Sequence, residues 1–221
     1  MTRNPVQIFV DLAFPQFNID YSSPFSYLTD TIDIDHSPKL KLLDSEQEKY
    51  LKQIIICSSF ENRIIHDLIL RLKYGMEWSI CESLVQLLIA GLHPIISELS
   101  PVKTIIASVP PDPKRLLYRG FHAPDILSQK LGEATQFQVH KLFQKNSSTP
   151  AQFHLSRKKR LTNLSGSFSL FSPLPINLSG FDTILLIDDV TTTGSTFTEL
   201  AKVLKSDFPF LSIIGVAVAG N

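Results

Sequence analysis

Two adjacent acids, Asp188 and Asp189, stand just ahead of Thr191, Thr192, Thr193, Gly194 and Ser195 in the stretch TILLIDDVTTTGSTFT, residues 183–198. The threonines, the serine and their backbone N–H groups are the donors that a small anion such as a phosphate needs. A helix beginning there adds the positive end of its dipole. Gly194 lets the backbone approach such an anion without a Cβ. The two carboxylates would repel the same anion, so they fit a neighbouring group rich in donors, and the 2′- and 3′-hydroxyls of a ribose qualify. Thr192–Ser195 could merely cap a helix, and two acids could merely be solvated. The combination in one short turn points to ligand binding.

A second anionic group needs a second cradle. SVPPDPKRLLYRGF, residues 108–121, supplies Lys114, Arg115 and Arg119, whose charged donors hold phosphate oxygens well. In isolation such a segment reads as a solvated basic turn. Its place after a strand expected beside the Asp188 strand favours the cradle. The polar segment of residues 145–166 carries Gln152, His154, Arg157, Lys158, Lys159 and Arg160. A loop of roughly twenty residues in a compact domain is often a lid over a site, but this composition fits an ordinary surface loop equally. The Lys158–Arg160 run alone is a weak nucleic-acid signal. His66, His93, His140 and His154 show no metal-ligand spacing. The first three read as surface or packing residues and His154 as a minor lid candidate. Phe168, Phe171 and Phe197 read as core, and Phe121 as core or as a stacking surface for a base.

These residues need elements to hold them. TIIASV (104–109) and TILLID (183–188) read as buried strands, as do QIIIC (53–57) and LSIIGVAVA (211–219). FQVHKLF (137–143) and SFSLF (167–171) read as further strands, and Pro110, Pro111 and Pro113 as an extended loop. Ser58 and Glu61 have capping-box spacing ahead of a helix with Ile64, Ile65, Leu68, Ile69 and Leu72 on one face and a stop at Gly75. Trp78, Cys81, Val85, Leu88 and Leu92 mark a second helix, ended or bent at His93-Pro94. Pro124 opens a third, running to about Leu131, and Thr193–Leu204 forms a fourth. Strands alternating with helices predict an α/β fold with a mostly parallel, doubly wound sheet and flanking helices. Residues 1–52 read as an irregular N-terminal segment and 53–221 as the folded domain.

The chain has 21 Lys and Arg against 21 Asp and Glu, which argues against a protein built to coat nucleic acid. Cys57 and Cys81 form no CxxC pair and read as buried, inert thiols, and two cysteines exclude a cysteine-rich zinc site. The sequence shows neither a signal-peptide core nor an apolar run of membrane-spanning length, so a cytoplasmic protein without membrane contact is expected.

ILLIDDVTTTGS (184–195) resembles the signature of the type I phosphoribosyltransferases, whose fold the resemblance implies. It further implies that Asp188 and Asp189 contact the ribose hydroxyls of 5-phosphoribosyl-1-pyrophosphate, and that Thr191, Thr192, Thr193, Gly194 and Ser195 cradle its 5′-phosphate. Val109-Pro110, Pro113-Lys114-Arg115, Arg119-Gly120-Phe121-His122-Ala123 and Lys73-Tyr74-Gly75 resemble the ComF family of phosphoribosyltransferase-like proteins linked to natural competence. Thr149, Gln152, Leu155, Arg157, Arg160, Asn163, Gly166 and Phe168 match its spacing across the long polar segment. The chain departs from that family at Tyr118, often an acid there, at His122, often Asn, and in lacking the cysteine-rich N-terminal zinc module.

The resemblance implies displacement of pyrophosphate from ribose C1 by an unidentified acceptor base or amine, with Mg²⁺ held through the substrate and by no direct protein ligand. Lys114 and Arg115 would hold the pyrophosphate. Arg115 would neutralise the leaving group, with Arg119 or Arg157 closing from a flexible loop that includes Gln152, Arg157 and Arg160. Homodimerisation is an expectation from the same resemblance. An alternative of a different class is a non-catalytic phosphoribosyl-pyrophosphate-binding or interaction protein that serves competence or DNA-processing partners. A nucleic-acid-binding module built on Lys158–Arg160 is the third reading.

Overall fold

A computed structural model describes residues 38–75, 79–146 and 166–221. Trp78, Thr149, Gln152, His154, Leu155, Arg157, Lys158, Lys159, Arg160 and Asn163 lie outside the described residues, as do residues 1–37 of the N-terminal segment. In chain order the main elements are β1 (Lys39–Lys41), β2 (Gln53–Ser59), α1 (Arg63–Leu70), α2 (Ile80–Ile96), β3 (Thr104–Ser108), α3 (Pro113–Arg119) and α4 (Ala123–Thr135). They continue with β4 (Gln138–Val139), β5 (Phe143–Lys145), β6 (Phe168–Leu170), β7 (Thr183–Thr191), α5 (Ser195–Asp207) and β8 (Ser212–Gly220).

Six strands form one sheet in the order β1-β2-β8-β7-β3-β4. Every pair is parallel except β1–β2 at the edge. Strands buried on both faces read as continuous apolar runs, and alternate residues sort between the two faces. Ile55, Cys57, Ile106, Leu185 and Ile187 pack with α1, α2 and α4. Ile54, Ile56, Ile105, Ile184 and Leu186 pack with α5 and with the β5–β6 pair. The fold is therefore α/β, with a mostly parallel sheet covered on both faces.

Several local expectations are corrected. Ser58 does not cap α1, because parallel pairing with β8 carries β2 on to Ser59. Asn62 caps instead, its side chain accepting from the amides of Ile64 and Ile65. Past Leu70 the chain makes a π-type turn over Arg71–Gly75. Pro94 neither ends nor interrupts α2, which runs to Ile96; it costs one backbone donor close to the helix end. Pro113 opens α3 rather than continuing a loop, since its fixed φ suits a first turn that Asp112 caps through the amides of Lys114 and Arg115. FQVHKLF is two strands. Gln138–Val139 pairs with β3, whereas Phe143–Lys145 pairs antiparallel with Phe168–Leu170 in a separate two-stranded sheet. Buried Leu142 and Phe143 draw the chain across to the α5 face. Phe168 and Phe197 are core, but Phe171 is 37% exposed. Residues 38–52 are not wholly irregular, since they contribute β1 and a 3-10 turn at Gln47–Lys49.

Candidate functional site

β7 and β3 are neighbours, with Ile187 opposite Ser108. From β7 the chain crosses over one face through α5 to β8. From β3 it crosses the other face through α4 to β4. Their carboxyl ends therefore part at a topological switch point, where open α/β sheets form crevices. A cleft of about 580 Å³ opens there. Its wall takes Asp188, Asp189 and Val190 from the end of β7, Thr192 from the turn and Thr196 from the start of α5, and Val109–Asp112 with Arg115, Leu116 and Arg119 from the opposite side.

Arg115, Arg119, Asp188, Asp189 and Thr192 thus face one cleft. Lys114 is not part of that wall, and neither are Thr191, Thr193, Gly194 and Ser195. Those last four shape the turn instead. Thr191 and Ser195 are buried. The Ser195 amide donates to Thr193 Oγ1 at 3.3 Å, and the two hydroxyls lie 2.8 Å apart. Gly194 has φ +77°, and a Cβ there would lie 2.5 Å from Ile54 Cδ1 and 3.0 Å from Gln47 Nε2. The left-handed conformation is what calls for glycine, while a Cβ would require the Ile54 and Gln47 side-chain ends to shift.

Sequence reasoning missed several contributors. Lys73, on the π-type turn after α1, reaches Asp189 at 2.8 Å. Lys145, at the end of β5, reaches Asp112 at 3.0 Å. Both lysines line the cleft. Lys73 had a signal in Lys73-Tyr74-Gly75, while Lys145 looked like the start of a polar loop. Arg119 donates to Tyr74 Oη at 2.9 Å and lies over its ring, 4.7 Å from the centroid. From outside the cleft, Gln47 Nε2 donates to the Thr193 carbonyl at 3.0 Å and Lys41 Nζ to the Thr192 carbonyl at 2.6 Å. Neither had a recognisable sequence signal, because both act from an unpatterned segment about 150 residues away (separations of 146 and 151).

The cleft is densely charged, with Lys73, Arg115, Arg119 and Lys145 facing Asp112, Asp188 and Asp189. Burial pushes the Asp188 carboxyl well above the ordinary range and the adjacent Asp189 charge adds to this, against the pull of Lys73. Burial would also raise Asp112, but the Lys145 ammonium and the amides of Arg115 and Lys114 outweigh it and hold that carboxyl low. Cations for an anion therefore stand beside an acid pair able to accept from hydroxyls. Among the described residues no group of three His, Cys, Asp or Glu side chains could cage a metal, and no helix is long and apolar enough to cross a membrane.

Fold and site together define an α/β protein with a charged ligand-type cleft at the switch point of a mostly parallel sheet. No family model matches the chain. It is 35% identical over 88 residues to "Competence protein F" of Haemophilus influenzae, covering 39% of this chain and 38% of that protein. It is 36% identical over 108 residues to "DNA utilization protein YhgH" of Salmonella typhi, covering 47% and 44%. With "DNA utilization protein YhgH" of Escherichia coli K12 it shares 32% identity over 139 residues, covering 62% and 59%. These relatives bear out the resemblance to the ComF family. In each case the match spans less than two thirds of the relative's own length.

Proposed function

We propose that this chain serves the uptake or utilisation of DNA, the role for which its relatives are named, through a cleft that binds 5-phosphoribosyl-1-pyrophosphate with Mg²⁺. The observation that carries the ligand reading is the convergence of Asp188, Asp189 and Thr192 with Arg115 and Arg119 on one cleft. In this reading the acid pair accepts from the ribose hydroxyls and the β7–α5 turn holds the 5′-phosphate. Arg115 and Arg119, with Lys73 and Lys145 nearby, hold the pyrophosphate.

Mg²⁺ fits this donor set as a ligand-held ion. The Asp188 carboxyl is raised first by burial and then by the Asp189 charge, and a nearby cation would ease both. When bound, Mg²⁺ supplies charge neutralisation at the pyrophosphate oxygens. The chain's own part is to orient the ribose and exclude water from one wall of the cleft.

A second reading, transfer of the phosphoribosyl group to a nitrogenous acceptor, is favoured by the position of Arg115 and Arg119 opposite the acid pair. Cations placed there would stabilise a departing pyrophosphate. Calorimetric titration of phosphoribosyl pyrophosphate and Mg²⁺ tests the ligand. Saturable binding is expected in the wild type and its loss in the Asp188→Asn/Asp189→Asn double variant. Equal binding by both would overturn the assignment. Pyrophosphate release on adding a nucleobase separates a transferase from a protein that only binds.

A further inference from the structure

Asp125, on the first turn of α4, is the focus of three donors behind the cleft wall. Ser108 Oγ donates to its Oδ1 at 2.5 Å, His122 Nδ1 lies 3.1 Å from the same oxygen, and Lys141 Nζ lies 2.6 Å from Oδ2. Burial alone would raise this carboxyl, but the bonds from His122, Lys141 and Ser108 outweigh it and hold Asp125 ionised. An ionised carboxylate has no proton to give, so His122 Nδ1 is the donor. In its neutral form the imidazole would then carry its lone pair on Nε2.

His122 lines the cleft with a side chain only 17% exposed. It occupies the N-cap position of α4, yet its side chain makes no capping bond. Its orientation is therefore set by the Asp125 side chain on the first turn of α4 and not by a bond to the backbone amides there. A histidine held through Nδ1 by a half-buried carboxylate on the wall of a ligand-type cleft is arranged to accept a proton at its other nitrogen.

The geometry points to His122 as the proton acceptor for a nitrogen nucleophile that attacks ribose C1, with Asp125 as its positioning residue. This inference rests on the cleft reading above and deepens its transfer arm. In the step, a bond forms between the acceptor nitrogen and C1 while the bond from C1 to the pyrophosphate oxygen breaks. The electron pair of that bond leaves with pyrophosphate, and the proton on the attacking nitrogen passes to His122 Nε2. The acceptor class is accordingly one whose attacking nitrogen carries a hydrogen, such as a nucleobase or an amine.

The test uses the full chain, with phosphoribosyl pyrophosphate and Mg²⁺ as probe and adenine, hypoxanthine, uracil, orotate and ammonia as trial nucleophiles. His122→Gln should bind the probe in calorimetry within about threefold of wild type, while pyrophosphate release falls at least about a hundredfold, the low end for losing a general base. His122→Gly should recover part of that loss when free imidazole is added, which a packing role would not produce. Release from His122→Gln at the wild-type rate would overturn the proposal. So would a wild type that binds the probe saturably but releases no pyrophosphate with any of these nucleophiles, an outcome that leaves the ligand reading standing. A wild type that does not bind the probe removes both.

Discussion

At the scale of single residues the cleft places function and stability in opposition. Asp188 carries a carboxyl raised by burial and by the charge of Asp189, and Lys73 offsets this only in part. A carboxyl whose folded-state pKa lies above its unfolded value binds its proton more tightly in the folded protein. Its contribution thus favours folding at acid pH and is lost as pH rises from the unfolded value of about 4 through the folded one. Asp188→Asn removes the charge and keeps the shape. We expect its midpoint of thermal unfolding to exceed that of wild type at pH 8, by about 2–4 °C for each kcal/mol relieved, and the difference to vanish near pH 4. Thermal melts across that range check it, and a variant less stable than wild type at pH 8 would show that the acid pair is well accommodated by Lys73.

At the scale of elements, what could be read from sequence depended on the range of the forces involved. β3, β7 and β8 were legible because a strand buried on both faces must be continuously apolar, and α4 because Pro124 marks a first turn. The Asp188–Ser195 turn was legible because its chemistry lies in one short run. The split of residues 137–145 was not, since both halves are locally strand-like and the break comes from Leu142 and Phe143 packing on the α5 face. Nor was the support of the β7–α5 turn by residues 38–52. Gln47 is 3% exposed and donates to the Thr193 carbonyl at 3.0 Å and to Thr198 Oγ1 at 3.3 Å. Its Oε1 accepts from the Asp44 amide at 3.1 Å. Gln47→Leu would leave the Thr193 carbonyl without this donor, at a cost of about 1–3 kcal/mol. It should also weaken phosphoribosyl pyrophosphate more than free pyrophosphate, because in the proposed reading the turn it braces holds the 5′-phosphate. Calorimetry with the two ligands decides, and equal weakening of both would mean the brace is only structural.

At the scale of the whole molecule, the cleft is assembled from segments scattered along the chain. Lys73 follows α1, Arg115 and Arg119 lie on α3, Lys145 ends β5, and Asp188 to Thr196 link β7 to α5. No one of these segments can hold a ligand until the sheet has ordered β3 beside β7. A ligand that bridges them binds the folded state alone, and so must stabilise the entire fold in proportion to its occupancy. At a free concentration one hundred times its dissociation constant, phosphoribosyl pyrophosphate with Mg²⁺ should add about 2.7 kcal/mol. For a chain of this length that corresponds to a rise of roughly 5–11 °C in the unfolding midpoint. In the proposed reading ribose 5-phosphate and pyrophosphate would each engage only one side of the cleft, and each should produce a smaller rise. The Asp188→Asn/Asp189→Asn double variant should lose most of the response to ribose 5-phosphate and retain part of the response to pyrophosphate, whose cations lie on other segments. Thermal melts of both proteins with the three ligands resolve the matter. Were the response to pyrophosphate alone to equal that to phosphoribosyl pyrophosphate, the acid pair would have no part in binding, and the cleft would be an anion site without a ribose subsite.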